Sequence, residues 1–315
     1  MVYQGILAAI LSAFFLGTYI LPRKHSRLSP YNYQIIFALA VFLFSIVYIL
    51  IAKTRIFPSS NVFWFGVMSG IFWAIGYLAY IISVDYIGVT RSTYIKNLGP
   101  VIITLYGVLI FKEFTLDQPI KYAAVMIGSL LMFGATALVA NSRANHHEIA
   151  KAYNLELSDQ IRNKLKIYGY LCAAFTAITY GIAVVFIKMM LQEGYRSTEA
   201  NLYLSFGILV SSCFIFWLKE KKINPFKVNF NEYKRCFLAG GLFVTSTVLA
   251  IFAMNAIPMS VSWPITNLCA IVTLLFGVFL YHEVDLTSHT KGIIYSVIFY
   301  LIGLFLLGYS LVPSS

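Results

Sequence analysis

Long apolar runs with at most one charged residue recur along the chain and are separated by short polar segments. Each run is continuous rather than alternating, and most are close to the roughly 20 apolar residues that a helix needs to cross the hydrocarbon core. The stretch from Cys236 to Tyr281 is 46 residues long and is read as two crossings, with Pro258 and Pro264 marking the turn between them, since proline breaks a helix. The ten predicted spans are Met1–Pro22, Leu28–Ala52, Ile56–Val84, Thr93–Phe111, Tyr122–Ser142, Ile167–Ile187, Ala200–Leu218, the two parts of Cys236–Tyr281, and Gly292–Ser315.

The second half of the chain repeats the first. A shift of 170 residues superimposes the third to fifth spans on the eighth to tenth, and a shift of 164 superimposes the first on the sixth. Because five spans is an odd number, the second half enters the membrane from the opposite side, as in the inverted repeats of secondary transporters. The predicted fold is therefore an all-α membrane protein of ten transmembrane helices in two inverted five-helix repeats, residues 1–140 and 167–315, joined by a cytoplasmic linker at 141–166. The matching pairs include Gly5 with Gly169, Lys24 with Lys188, Asn97 with Asn267, Gly107 with Gly277, and Glu113 with Glu283.

Composition supports a membrane protein and charge orients it. The chain is 60% hydrophobic and only 11% charged, whereas a soluble domain is about 25% charged. The net charge of +11 would suggest nucleic acid in a soluble protein, but here seventeen Lys and Arg residues fall in the loops of one side and six on the other. The positive-inside rule assigns the seventeen to the cytoplasm, so both termini are expected outside the cytoplasm in a multi-pass protein of the cell membrane, with no nucleic-acid partner.

No motif of an enzyme is present. The sequence lacks the Gly-x-Ser-x-Gly, His-Glu-x-x-His and phosphate-binding glycine patterns, so an enzyme or an ATP-driven pump is not expected. The four cysteines form no Cys-x-x-Cys pair, which favours buried small hydrophobes over a metal or redox site. We therefore expect no metal and no cofactor.

The third and fourth spans carry a family resemblance. They read SGIFWAIGY at Ser69–Tyr77 and YIGVTRS at Tyr86–Ser92, followed by an apolar helix ending at Glu113, and the first span has the pattern Gly17, Pro22, Lys24. In these features the chain resembles the drug/metabolite transporter superfamily, and within it the bacterial glucose/ribose-uptake type, related to the rhamnose transporter branch. The resemblance implies ten helices and transport of a small metabolite. Many members of that superfamily keep both termini in the cytoplasm, opposite to the orientation that the loop charges give here.

One face of the third span is a candidate wall of the substrate site. Its small residues allow close helix packing, and Trp73 and Tyr77 could stack on the apolar face of a sugar and bond its hydroxyls. The alternative for the glycines is a packing seam. Tyr180 and Trp263 are further candidate wall residues, although Trp263 could instead anchor at the interface. The face comprises Gly66, Gly70, Trp73, Tyr77 and Tyr80, and the matching face of the eighth span is Cys236, Gly240, Phe243, Thr247 and Ala250.

Ionisable residues within spans are functional candidates because they are costly in the membrane. Lys96, Asn97 and Asn267 would converge at the pseudo-twofold axis as a polar substrate site. The alternative for Lys96 is snorkelling combined with a salt bridge to Asp85. A coupling or gating role is the hypothesis for Asp85, Arg91, Glu113 and Glu283, and the two glutamates could instead pair with Lys112 or Lys121 or cap the following helix.

The predicted function is a secondary active transporter that moves a small polar metabolite by alternating access, with a sugar favoured by the resemblance and by the Trp, Tyr and Asn lining. The first alternative is a small anion, such as a sugar phosphate, carboxylate or amino acid, held by Lys96 and Arg91. The second is a membrane protein that transports nothing. The expected partners are the small-molecule substrate, H⁺ or Na⁺ as a coupling ion, and the lipid bilayer, with the protein a monomer or a homodimer.

Overall fold

The computed structural model describes residues 1–54, 60–114, 118–140, 159–219, 228–281 and 286–311. All regular structure within these ranges is α-helical and comprises thirteen helices. They are α1 (Val2–Thr18), α2 (Leu21–Lys24), α3 (Pro30–Ala52), α4 (Ser60–Ile87), α5 (Val89–Lys96), α6 (Gly99–Leu109), α7 (Pro119–Ala140), α8 (Asp159–Gln192), α9 (Ser197–Lys219), α10 (Phe230–Ala256), α11 (Met259–Thr266), α12 (Cys269–Phe279) and α13 (Leu286–Ser310).

Each of the ten predicted apolar runs coincides with one helix or with two consecutive helices. Seven segments among the described residues are long and apolar enough to cross a membrane, starting with Val2–Lys24 and ending with Met259–Gly277. The fourth, fifth and tenth predicted spans are also helical, as α5–α6, α7 and α13. The protein is therefore a multi-pass integral membrane protein. Of the predicted linker, residues 141–158 lie outside the described ranges, and α8 already begins at Asp159, earlier than predicted.

The fourth and ninth spans are each broken into a helix of eight residues and a helix of eleven. The breaks fall at Asn97 and Asn267, which end α5 and α11. In the fourth span, Pro100 has no N–H to donate to the carbonyl of Lys96, which favours the interruption. The two spans thus share one design at positions 170 residues apart in the sequence.

The prediction that Pro264 marks the turn between the eighth and ninth spans is wrong. The turn lies at Ile257 and Pro258, and Pro264 lies inside α11. A proline within a helix leaves the carbonyl four residues earlier without its donor. Here that carbonyl belongs to Ser260, and it accepts a hydrogen bond from the Thr104 hydroxyl of α6 at 3.4 Å. A side chain from another span therefore replaces the lost backbone donor.

Glycines set the closest helix approaches around α4. A Cβ atom on Gly70 would lie 2.6 Å from Cα of Gly207, so the backbones of α4 and α9 are in direct contact. Gly66 faces Tyr203 of the same helix α9 in the same way. The glycines of the third span thus form a packing seam, which was one of the two interpretations of this face.

The long helices of the two predicted halves pack against each other. Helix α4 lies antiparallel to α8, with Gly66 near Met190 at one end and Ile87 near Gly169 at the other. Helix α1 packs along α10, and α3 packs along both α9 and α10. The largest buried cluster lies where these helices meet, and Trp73 is part of it.

Candidate functional site

An aromatic cluster lies at the centre of the largest buried core. The ring centroid of Trp73, on α4, lies 4.7 Å from that of Tyr77, 5.3 Å from that of Tyr180 on α8, and 4.2 Å from that of Phe243 on α10. The Trp73 and Tyr180 rings are almost parallel, at 6°. Phe37 of α3 completes the cluster, with its centroid 4.4 Å from that of Tyr77. The stack therefore joins helices of both predicted halves.

Tyrosine hydroxyls at this cluster lack partners. Within the described part of the chain, the buried hydroxyls of Tyr19, Tyr77 and Tyr180 form no hydrogen bond. Tyr19 also stacks on Tyr77, with the centroids 5.9 Å apart. Buried polar groups in proteins are normally satisfied, so each exception needs an explanation. The cluster thus combines flat apolar ring faces with several buried hydroxyl groups that make no hydrogen bond within 3.5 Å, which is the chemistry that recognises a polyhydroxylated ring.

Lys96 is buried beside this cluster, with 5% of its surface exposed. Its ammonium lies 4.9 Å from the centroid of Tyr80 and 5.9 Å from that of Tyr180. Among the described residues, no carboxylate lies within ion-pair distance of it, and the two rings supply cation–π contacts. A buried ammonium without a carboxylate partner among the described residues is costly, which makes Lys96 a candidate functional residue.

The alternative interpretation of Lys96 as the partner of Asp85 is wrong. Asp85 pairs with Arg23 of α2, with Nη2 and Oδ2 2.5 Å apart, and Nε of Arg23 donates to its other oxygen at 3.1 Å. Asp85 lies in the last turn of α4. Lys96 lies at the far end of the next helix, α5, whose eight residues span about 12 Å at 1.5 Å per residue. Arg91, in the first turn of α5, is partly buried.

Asn97 and Asn267 meet, as the repeat predicted. The side-chain amide of Asn267 donates to the backbone carbonyl of Asn97 at 3.2 Å. The amide nitrogen of Asn97 lies 4.0 Å from Sγ of Cys269, and its side-chain oxygen is buried without a partner in the described chain. Because these residues end α5 and α11, the contact lies where both broken spans are interrupted.

Glu113 has partners other than those predicted. Its carboxylate lies 2.9 Å from Nζ of Lys188, and it accepts backbone N–H bonds from Met259 and Ser260, both at 2.8 Å. The Ser260 hydroxyl donates to it as well, at 2.7 Å. The carboxylate thus caps the N-terminus of α11, where anions are stabilised. The alternative pairing with Lys112 or Lys121 is wrong, since Lys188 is the cation that pairs with Glu113 in the described chain, and Lys112 occupies a left-handed turn and is exposed. The repeat mate Glu283 lies outside the described residues.

Sequence reasoning found part of the cluster. Trp73 and Tyr77 were predicted as wall residues, and they are brought together with Tyr180, whereas Trp263 is only partly buried and packs elsewhere against the same core. The matching face of the eighth span is smaller in sequence and predicts space opposite Trp73, but this is wrong at Phe243, whose ring centroid lies 4.2 Å from that of Trp73. No pattern in the sequence singles out Tyr19 or Phe37, because aromatic residues make up 17% of the chain. Among the described residues, no three His, Cys, Asp or Glu side chains lie close enough together to hold a metal ion.

Comparisons with known proteins agree with this chemistry. The sequence model of a family described as "Sugar transport protein" matches residues 1–142. Two relatives are each named "Probable glucose uptake protein GlcU": that of Bacillus cereus is 23% identical and the match covers 97% of this chain and 98% of the relative, and that of Priestia megaterium is also 23% identical, covering 97% and 99%. A protein of Enterococcus faecalis named as a sugar uptake protein is 25% identical over 85% of each chain. These names denote transport proteins and not enzymes, and they confirm the resemblance to the glucose-uptake branch.

The fold also has a solved counterpart. A crystal structure described only as "Crystal structure of protein" superimposes with a TM-score of 0.70 at 13% sequence identity, and the match covers 96% of this chain and 98% of that one. At this level of identity the likeness concerns the fold alone.

Proposed function

We propose that this chain, a relative of the sugar transport proteins, is a secondary active transporter that carries a neutral sugar across the cell membrane. The observation that carries the proposal is the aromatic cluster around Trp73, with its buried and unpartnered tyrosine hydroxyls. A sugar ring presents apolar C–H faces to aromatic rings and hydroxyl groups at its rim, so it satisfies both parts of this lining.

The second element of the proposal is transport by alternating access between two inverted halves, residues 1–140 and 167–315, joined by the linker at 141–166. It is supported by the equal division of the fourth and ninth spans into eight and eleven residues. It is supported further by the contact between Asn97 and Asn267 at the two breaks. Discontinuous helices that meet between repeats are where transporters bind their substrates.

We further propose that both termini lie outside the cytoplasm, because of the loop charges, and that H⁺ or Na⁺ supplies the driving force to a monomer or homodimer. A cysteine introduced in the 141–166 linker tests the orientation. An impermeant thiol reagent added to intact cells should leave it unlabelled, and labelling from outside would refute this topology.

The experiment for the sugar proposal measures uptake of a radiolabelled hexose into proteoliposomes, with Trp73→Ala compared with Trp64→Ala. Both tryptophans lie on α4, but Trp64 is exposed to lipid, with 58% of its surface accessible, whereas Trp73 is 7% exposed. Loss of one aromatic contact of about 1.5 kcal/mol should lower uptake about tenfold in the Trp73 variant. The Trp64 variant should match the wild type. Equal uptake by the two variants, or no hexose uptake by the wild type, would contradict the proposal.

A second candidate function is favoured by one observation, the absence of a carboxylate partner for Lys96 among the described residues. An anionic metabolite, such as a sugar phosphate, carboxylate or amino acid, would supply the missing counter-charge. Lys96→Gln separates the candidates. Intact hexose uptake by this variant excludes the anion, whereas a wild type that exchanges only anions and loses exchange on substitution supports it. If the wild type transports no sugar and no anion, and no metabolite of either class raises its thermal stability, both candidate functions are refuted.

A further inference from the structure

Besides neutral hydrogen bonds in the interior, such as that between Asn267 and Asn97, two polar clusters built around a glutamate join the two predicted halves in the described part of the chain. The Glu113 clasp consists of Glu113, Lys188, Met259 and Ser260, in which a first-half carboxylate holds a second-half lysine and the N-terminus of α11. Its carboxylate side chain is only 7% exposed. The geometry is that of a buried and fully bonded anion, which is a strong contact as long as all its partners stay in place.

In the second cluster, the Glu232 clasp, the carboxylate comes from the second half and its partners come mainly from the first half. Here a second-half carboxylate accepts the hydroxyl of Ser26 at 2.6 Å and the backbone N–H of Arg27 at 3.4 Å, both from the turn between α2 and α3. Arg235 holds Glu232 at 2.7 Å and also donates to the backbone carbonyl of His25. Glu232 and Arg235 of the second half thus bind the turn between α2 and α3 of the first half.

The two clasps lie at opposite ends of the molecule. Helix α10 begins at Phe230, beside Glu232, and ends at Ala256, just before Met259. At 1.5 Å per residue, this helix separates the clasps by roughly 40 Å, about the thickness of a bilayer with its headgroups. Phe243 of the aromatic cluster lies on α10 between them.

The aromatic cluster is closed off from both ends in this conformation. Trp73 and Lys96 are 7% and 5% exposed, and Cys269, beside Asn97, is fully buried. Between them, the clasps fasten the first half to the second on either side of this cluster. A transporter must open one end while the other stays closed, and polar contacts with discrete bonded and broken arrangements suit that task.

We propose that the Glu113 clasp and the Glu232 clasp are the two gates of the transport cycle, each closing one entrance to the central site. The inference rests on the alternating access of the proposed function, but on no particular substrate. Glu113 and Glu232 act as positioning residues, since neither touches the aromatic cluster. Breaking one clasp should favour the conformation open at that end and leave the other end shut.

Cys269 supplies a reporter for the test. With Cys172, Cys213 and Cys236 replaced by alanine, it is the remaining thiol of the chain. A membrane-impermeant maleimide is added, without any sugar, to right-side-out and to inside-out vesicles. We expect Glu113→Gln to raise the labelling rate at least tenfold from one side only, and Glu232→Gln to raise it from the other side only.

The matched control is Glu193→Gln, which removes a charge from the exposed turn after α8, at the same end as Lys188. It should label as slowly as the parent. If Glu113→Gln fails to fold, Lys188→Gln takes its place, since it removes the cation but leaves the cap on α11. That variant should label from the same side with a smaller increase.

Three results would refute the two gates. They are faster labelling of one variant from both sides, faster labelling of both variants from the same side, and unchanged labelling of both variants in folded protein. The assay contains no sugar, so it fails separately from the proposed function. If labelling is side-specific but the wild type takes up no hexose, the two gates are supported and the proposed sugar substrate is refuted. If hexose uptake is normal but neither variant changes the labelling rate, the sugar substrate is supported and the two gates are refuted.

Discussion

Alanine at Gly70 would add a Cβ atom where two helix backbones already touch. That atom would lie 2.6 Å from both Cα and the carbonyl carbon of Gly207, and the Leu204 carbonyl oxygen is also in its path. All three are backbone atoms of α9, so no side-chain rotation can relieve the overlap. Carbon atoms in contact prefer about 3.5–4.0 Å, so α4 and α9 must separate by about 1 Å.

The cost follows from the packing that this separation removes. Overpacking by a single methyl group typically costs about 1–3 kcal/mol. We expect the upper part of that range here, because the overlap can be relieved only by moving the helix backbones apart. Each kcal/mol shifts the unfolding midpoint by about 2–4 °C in a soluble domain of up to 250 residues. We therefore expect Gly70→Ala to lower the apparent midpoint of the detergent-solubilised protein by about 5–10 °C.

The assay is thermal unfolding at one fixed scan rate, because membrane proteins commonly unfold irreversibly. Gly308→Ala is the matched control, since Gly308 is also helical but a Cβ there would meet no atom within 4 Å. Its midpoint should equal or slightly exceed that of the wild type, because alanine is the better helix former. Equal midpoints for the two variants would refute the argument that α4 and α9 are fixed by direct backbone contact.

Two other substitutions separate stability from function. Arg23→Gln should cost about 3 kcal/mol, because it leaves the partly buried carboxylate of Asp85 unpaired. Arg27→Gln, at an exposed position, should leave the midpoint unchanged, and equal midpoints for the two variants would contradict the role of this ion pair. Tyr180→Phe should keep or raise the midpoint, since its hydroxyl has no partner in the described chain, yet lower hexose uptake about five- to tenfold through a lost hydrogen bond of about 1–1.5 kcal/mol. Tyr309→Phe, at an exposed position, should change neither quantity, and full uptake by Tyr180→Phe would exclude its hydroxyl from the sugar site.

The repeat read from the sequence predicts the contact between Asn97 and Asn267. Asn97 and Asn267 differ by one fixed offset, and equivalent positions near a pseudo-twofold axis are neighbours in space, so the sequence pattern alone implied that they meet. The clasp at Glu113 was less accessible to this reasoning. Its partners Lys188 and Ser260 come from two other spans, and helix periodicity says nothing about which spans are adjacent.

Other parts of the site could not be read from the sequence. Tyr19 and Phe37 are two among many aromatic residues, 17% of the chain, so their place in the cluster depends wholly on how α1 and α3 pack. The alternative pairing of Asp85 with Lys96 rests on their closeness in sequence, whereas in the structure α2 places Arg23 against Asp85. Local spacing predicts contacts within one helix, and tertiary packing decides the rest.

The prolines of the two broken spans stand at unlike positions, Pro100 at the start of α6 and Pro264 inside α11, with no repeat mate for either. Two identical halves exchanging roles would give inward-open and outward-open states of equal free energy. In the helix with an internal proline, the freed carbonyl of Ser260 accepts its bond from Thr104 of the other predicted half, so the two rearrangements of the proposed cycle should differ in free energy. In the proposed alternating-access cycle, the protein without substrate should therefore favour one of the two states, and the concentration for half-maximal transport should differ between influx and efflux.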